Sequence, residues 1–176
     1  MPHLSAGELK VTAYLQVQIQ TESFSLGHEE QALLSHARNA GALVAFQGMV
    51  REFENLAQAD ASQPSVQGLF LEHYPHVTEA EIERIMRQAL ERWPFSAMKV
   101  IHRVGTLALH EPIVLVLVYA EHRQAAFAAA EFVMDYLKNQ APFWKKELFS
   151  NQSSEWVAAK QSDAAALARW QTTANE

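Results

Sequence analysis

A proline at position 142 dictates how the segment Met134 to Glu147 (MDYLKNQAPFWKKE) can fold. Proline lacks an amide donor and its ring clashes with the preceding turn, so a helix from Arg123 to Gln140 must stop there. Lys138 then falls in the last helical turn. Lys145 leaves on the next element beside Phe143 and Trp144, whose rings are expected to be buried between the two amines. Two ammonium groups near apolar rings can bind an anion, and desolvation lowers a lysine pKa toward acid–base chemistry. Taken alone, the segment also reads as a solvated lysine pair, so the rest of the chain has to decide.

At 176 residues, 49% hydrophobic and 19% charged, the chain is long enough for one domain with a substantial core. A formal net charge of −6 argues against general nucleic-acid binding, so any anion site must be local. The absence of cysteine removes disulfides, thiolate metal sites and a cysteine nucleophile. No basic region followed by an apolar run opens the chain, and the longest apolar run, Ile113 to Ala120, is too short to span a bilayer. A cytoplasmic protein without membrane contact is expected.

Alternating Leu15, Val17 and Ile19 predict a half-buried strand, and a short helix follows over His28 to Arg38. Gly41 to Arg51 reads as a buried strand with a polar end, residues 52–67 as a mobile loop, and Gly68 to Tyr74 as the next strand. Thr78 and Glu81 form a capping box opening a helix with Ile82, Ile85, Met86, Ala89 and Trp93 on its buried stripe, which Pro94 ends. Ala97 to Arg103 and Ile113 to Glu121 are strands separated by a turn region with Gly105, His110 and Pro112. The helix from Arg123 is expected to bury Phe127, Ala130, Val133, Met134 and Leu137. Phe143 to Phe149 and Glu155 to Val157 pair as a hairpin, and a short helix over Asp163 to Trp170 precedes a polar tail, 171–176. This mixture defines the α+β class in a single domain over 1–176. Trp156 and Trp170 are candidate exposed aromatics for an interface.

No nucleophile elbow, phosphate loop or dinucleotide fingerprint is present. His73 and His76 flank Pro75, which breaks the helical geometry of a metal pair, so no metal site is expected. Basic residues close several elements: Arg51, His102 with Arg103, and His122 with Arg123 at a helix start, where free amides favour an anion. Singly, each reads as a surface ion-pair partner. With Lys138 and Lys145 they can line a phosphate-sized pocket, although spacing alone does not show convergence.

Six blocks in order carry a resemblance: Phe46 to Arg51 (FQGMVR), Leu71 to Pro75 (LEHYP), Trp93-Pro94, Ile101 to Gly105 (IHRVG), Ala120 to Arg123 (AEHR) and Met134 to Glu147. Over roughly residues 12 to 170 the chain resembles the family of molybdopterin synthase large, catalytic subunits. That resemblance implies an α/β hammerhead fold with additional antiparallel strands. It also implies insertion of two sulfurs into cyclic pyranopterin monophosphate, giving the dithiolene of molybdopterin. The implied donor is a thiocarboxylate on the C-terminal Gly-Gly tail of a small ubiquitin-like partner. No cofactor is implied, and two large subunits are expected to form a central dimer with one small subunit at each end.

Carried over by position, Lys138 would be the central catalytic lysine, with Lys145 catalytic and close to substrate. Met49, Val50 and Arg51 would form a substrate-binding stretch in which Arg51 holds pterin or phosphate oxygens, and Lys146 and Glu147 would extend the second basic stretch. His122 and Arg123 would match an anion-binding pair reaching a site across the dimer. The chemistry agrees: without cysteine the chain needs an external sulfur donor, and a phosphate substrate and a carboxylate tail both need Lys and Arg. Two departures stand out. The family pattern has a lysine at Met49 and often an arginine at Gln140, so a neighbour such as Lys146 is a candidate substitute for the missing charge. The loop 52–67 is also longer than the family suggests. The alternative is a paralogue that keeps the fold and the partner or pterin groove but has lost turnover.

Overall fold

The computed structural model describes residues 12–52, 64–157 and 168–170. In chain order the elements are β1 (Tyr14–Gln20), α1 (Leu26–Leu34), β2 (Ala42–Met49), β3 (Val66–His73), α2 (Val77–Arg92), β4 (Ala97–Arg103), β5 (Gly105–Ala108), β6 (Pro112–Ala120), α3 (Arg123–Asn139), β7 (Phe143–Phe149) and β8 (Ser154–Val157). They build two four-stranded sheets, ordered β1-β4-β6-β2 and β5-β3-β7-β8. Among the described residues only β1 and β4 run parallel; every other pairing there is antiparallel. The α+β class and the β7–β8 hairpin are as the sequence predicts.

The first sheet is covered on both faces, which is why its central strands are almost continuously apolar. Met98 and Val100 of β4, with Val114, Val116 and Val118 of β6, pack under α2 and α3. The intervening Ala97, Ile101, Leu115, Leu117 and Tyr119 meet Leu33 of α1 on the opposite face. A smaller core, Val50, Leu69, Leu71 and Leu107, lies under the second sheet.

The chain passes from the first sheet to the second at Gly105. Its φ of +82° is a conformation that only glycine adopts without strain. Sequence patterning places a turn here and misses β5, because a four-residue strand is too short to show a period. Gly68 permits the tight β3–β5 pairing, since a Cβ there would stand 2.5 Å from the Leu107 carbonyl oxygen.

Several expectations need correction. α1 spans Leu26–Leu34 rather than His28 to Arg38. Phe127 is 63% exposed, because α3 turns Ala126, Ala129, Phe132, Val133 and Tyr136 inward instead. The Thr78–Glu81 capping box does not form: the N-cap of α2 lies two residues earlier, at His76, with φ 67° and no side-chain bond. Glu81 instead pairs with Arg84. β3 begins at Val66, inside the expected loop, and residues 53–63 lie outside the described residues. Of the last predicted helix only 168–170 is described, as helix; the tail 171–176 lies outside. Trp156 is exposed, but Trp170 packs edge-on against Trp93 and Phe132, and its indole N–H donates to Asp135 at 2.7 Å.

One charged pair lies beneath α1. Lys99, only 4% exposed on β4, is ion-paired with Glu29. Burial would raise the Glu29 carboxyl, but the hydrogen bond and charge of Lys99 outweigh it and hold it below the usual range. Lys99→Ala would leave that carboxylate without its cation and is expected to cost on the order of 3 kcal/mol. Lys99→Met combined with Glu29→Leu should stay within about 1 kcal/mol of the parent, read from urea midpoints.

Candidate active site

Strand register decides which of the basic residues share a neighbourhood. Met49 of β2 lies opposite Pro112, and His102 of β4 lies opposite Val114, so all four mark one end of the first sheet. β6 runs from that end to Ala120, and only Glu121 and His122 separate it from α3. The helix must therefore run back across β6 and β2, against which it packs. Its C-terminus, with Lys138, returns to the Met49 end. The stack of Phe143 on His102, with centroids 3.8 Å apart and planes 18° apart, fixes the following residues there as well.

On β7 the side chains alternate. Phe143, Lys145 and Glu147 stand opposite His73, Leu71 and Leu69 of β3, on the face of the Val50 core. Lys145 Nζ is 3.6 Å from Glu147 Oε1, and both side chains are partly buried. The end of the first sheet thus carries Arg51 and Lys138, and the inner face of the second, which starts from the Phe143–His102 stack at that end, carries Lys145 and Glu147. Lys138 and Arg51 are exposed at element ends, and among the described residues Lys138 has no ion-pair partner.

The remaining candidates are placed differently. Val50 is 1% exposed, and its backbone N–H and C=O are bonded to Glu111 and His110, so it packs the core rather than facing a ligand. Met49 is 51% exposed. Lys146 points to the opposite face of β7 and sits 5.5 Å over the Trp156 ring. It therefore does not replace the charge absent at Met49. Trp144, expected to be buried between the lysines, is 49% exposed on that same outer face. Arg103 is a strut, not an anion ligand: its guanidinium donates to the carbonyls of Thr21, at 3.2 and 3.0 Å, and Pro112, at 3.1 Å.

His122 is the N-cap of α3 and Arg123 its first residue, both exposed. At about 1.5 Å rise per residue, Lys138 lies roughly 22 Å along the helix from Arg123. Within one chain these two groups do not share a pocket.

Sequence reasoning singled out His102 only as a strand end. Burial drives its pKa down to about 4, against a smaller opposing effect from the hydrogen bond with the Arg103 carbonyl, and nearby His73 lowers it further. The ring is therefore neutral at pH 7 as it stacks on Phe143. Unfolded, it would titrate near its ordinary value, so the unfolded chain binds the extra proton first as pH falls. This contribution to stability is present above about pH 6.5 and is lost as pH falls toward 4. His102→Phe should flatten the fall in melting temperature between those values relative to the parent. Gln140, where the family pattern has arginine, accepts a hydrogen bond from Arg84 at 2.8 Å, which an arginine has no acceptor to make.

Among the described residues no helix is long and apolar enough to cross a membrane, and no cluster of three or more His, Asp or Glu is placed to hold a metal.

Residues 19–140 match the MoaE protein family. A molybdopterin synthase catalytic subunit from Cereibacter sphaeroides is 46% identical over 156 residues, covering 89% of this chain and all of the relative. The structure of a molybdopterin biosynthesis MoaE protein from Burkholderia ambifaria superposes with a TM-score of 0.73 at 43% identity, covering 89% of this chain and 98% of the other. A protein–protein complex of subunits 1 and 2 of molybdopterin-converting factor from Helicobacter pylori shares the fold, with a TM-score of 0.61 at 22% identity, over 84% of this chain and 90% of the other. The chain belongs to the MoaE family.

Proposed function

We propose that this chain is the catalytic subunit of a molybdopterin synthase, a sulfurtransferase of molybdenum cofactor biosynthesis. It takes sulfur from the C-terminal thiocarboxylate of a small ubiquitin-like partner and delivers it to cyclic pyranopterin monophosphate. The observation that supports this reading most is the placement of Arg51 and Lys138 at the end of the first sheet from which β7 carries Lys145, in a chain whose residues 19–140 match the family. Relatives that cover nearly their whole length on this chain bear the name of that catalytic subunit.

The roles follow from side-chain chemistry. Arg51 offers a planar fork of donors to phosphate or pterin oxygens. Lys145, held by Glu147, presents a fixed ammonium to the same anion or to the carboxylate that the partner tail becomes. Lys138, exposed at the helix end, carries the acid–base step, protonating a leaving group or assisting the incoming sulfur. His122 and Arg123 lie too far from Lys138 to act with it in one chain, so they serve the site of a second copy in a central homodimer. The complete assembly is then a heterotetramer with one small subunit at each end.

Reconstitution with the thiocarboxylated partner and cyclic pyranopterin monophosphate tests this, following dithiolene product by fluorescence after oxidation. Product is the expected result. Partner binding without product would point instead to an inactive paralogue, with Met49 as the first residue to restore to lysine.

A further inference from the structure

Only six residues separate Lys138 from Lys145, and α2 grips that short connection from outside. We propose that Thr78 and Arg84 are positioning residues that fix the separation of the two amines by clamping residues 140–143. The inference rests on the roles given above to Lys138 and Lys145.

Thr78 is fully buried in the first turn of α2. Its hydroxyl accepts the Tyr74 N–H at 3.0 Å and donates to the Pro142 carbonyl at 3.2 Å. The oxygen that would have formed a capping box is thus spent bridging the β3–α2 turn to the segment after α3. Two turns along, Arg84 is fixed by Glu81 through Nε at 2.9 Å and Nη2 at 2.5 Å, and also donates from Nη2 to the Gln140 Oε1 at 2.8 Å. The Phe143 ring rests on His102. Positions 140 and 142 are therefore tied to α2 and position 143 to β4, and neither element carries either lysine.

The physical need for such a clamp is plain. Proline at 142 ends the helix but does not set the direction in which the chain leaves it. Each unclamped residue between the lysines retains backbone freedom that must be removed before two amines can act on one substrate. A buried hydroxyl bonded on both sides removes it in the resting protein.

The test uses the full-length chain and three variants, Thr78→Val, Thr78→Ser and Arg84→Leu. Amide hydrogen exchange over 139–145 is read beside turnover at saturating partner and pterin. Thr78→Val keeps the shape and loses the hydroxyl. It is expected to exchange roughly tenfold faster over that segment, the equivalent of one lost hydrogen bond. kcat should fall roughly tenfold or more, as a misplaced catalytic group dictates, while KM for both substrates stays within about twofold. Thr78→Ser should restore both readouts, and Arg84→Leu, a surface change, should reproduce the defect more mildly. Unchanged exchange, faster exchange with unchanged kcat, or a Thr78→Ser variant as impaired as Thr78→Val would overturn the inference. If Thr78→Val does not fold, Arg84→Leu decides by the same criteria. If the parent itself forms no product, the functional proposal fails, while exchange over 139–145 still supports or overturns the clamp.

Discussion

Lys138→Ala should form dithiolene roughly 10²- to 10⁴-fold more slowly than the parent, the range expected when a positioned acid–base group is removed. The fold should barely register the change. Lys138 stands exposed in the last turn of α3, and no ion pair within the described residues depends on it. Its loss removes only the favourable interaction of a cation with the C-terminal end of the helix dipole, about 0.3–1 kcal/mol. Lys138→Arg separates two roles for the amine. Arginine keeps the charge but does not release a proton near neutral pH. If Lys138 acts by proton transfer, Lys138→Arg remains as impaired as Lys138→Ala; if it supplies charge alone, much of the rate returns. Single-turnover formation of product, with partner affinity measured in parallel, distinguishes these cases. Near-parental turnover in Lys138→Ala would remove the residue from the mechanism.

Pro142 makes much of this site legible in the sequence. Its chemistry forces the break between α3 and β7, and the break lies where the sequence puts it, with α3 ending at Asn139 and β7 starting at Phe143. The apolar periods of β4, β6 and α2 were equally readable, because each faces a covered layer. What escaped were contacts between elements distant in sequence. Thr78 looks like a helix cap from its neighbours, yet its hydroxyl reaches Pro142, a partner no local window contains. Phe127 sits at helical spacing from buried residues, but the small alanines at 126, 129 and 130 are what let α3 lie close to the sheet, turning Phe127 outward. Lys145 and Lys146 look equivalent as neighbours in sequence. The pleat of β7 sends them to opposite faces, and only register with β3 says which one lies on the face of the Val50 core. Arg103 reads as a free cation at a strand end until the Thr21 and Pro112 carbonyls are seen to occupy its donors.

Mixing two inactive variants should restore activity, and the length of α3 is the reason. Arg123 and Lys138 bracket a 17-residue helix, so one chain cannot direct both at a substrate a few ångströms across. If both serve one site, they must come from two copies, and a closed two-fold dimer supplies two such sites. Arg123→Ala alone should then lose turnover in every site of its homodimer, and so should Lys138→Ala. In a mixed dimer one site inherits both substitutions and the other inherits neither. Random exchange at equal concentrations makes about half of all dimers mixed, so about a quarter of parental turnover should return. The gain should appear only after subunits exchange, for example after brief denaturation and refolding together, and should be absent when the two pre-formed proteins are merely combined. No recovery after verified exchange, with both single variants inactive, would mean that His122 and Arg123 act somewhere other than beside Lys138. An Arg123→Ala protein of parental activity would withdraw that pair from the site altogether. Recovery would make the dimer part of the active site and explain why cations stand at both ends of one helix in an acidic chain.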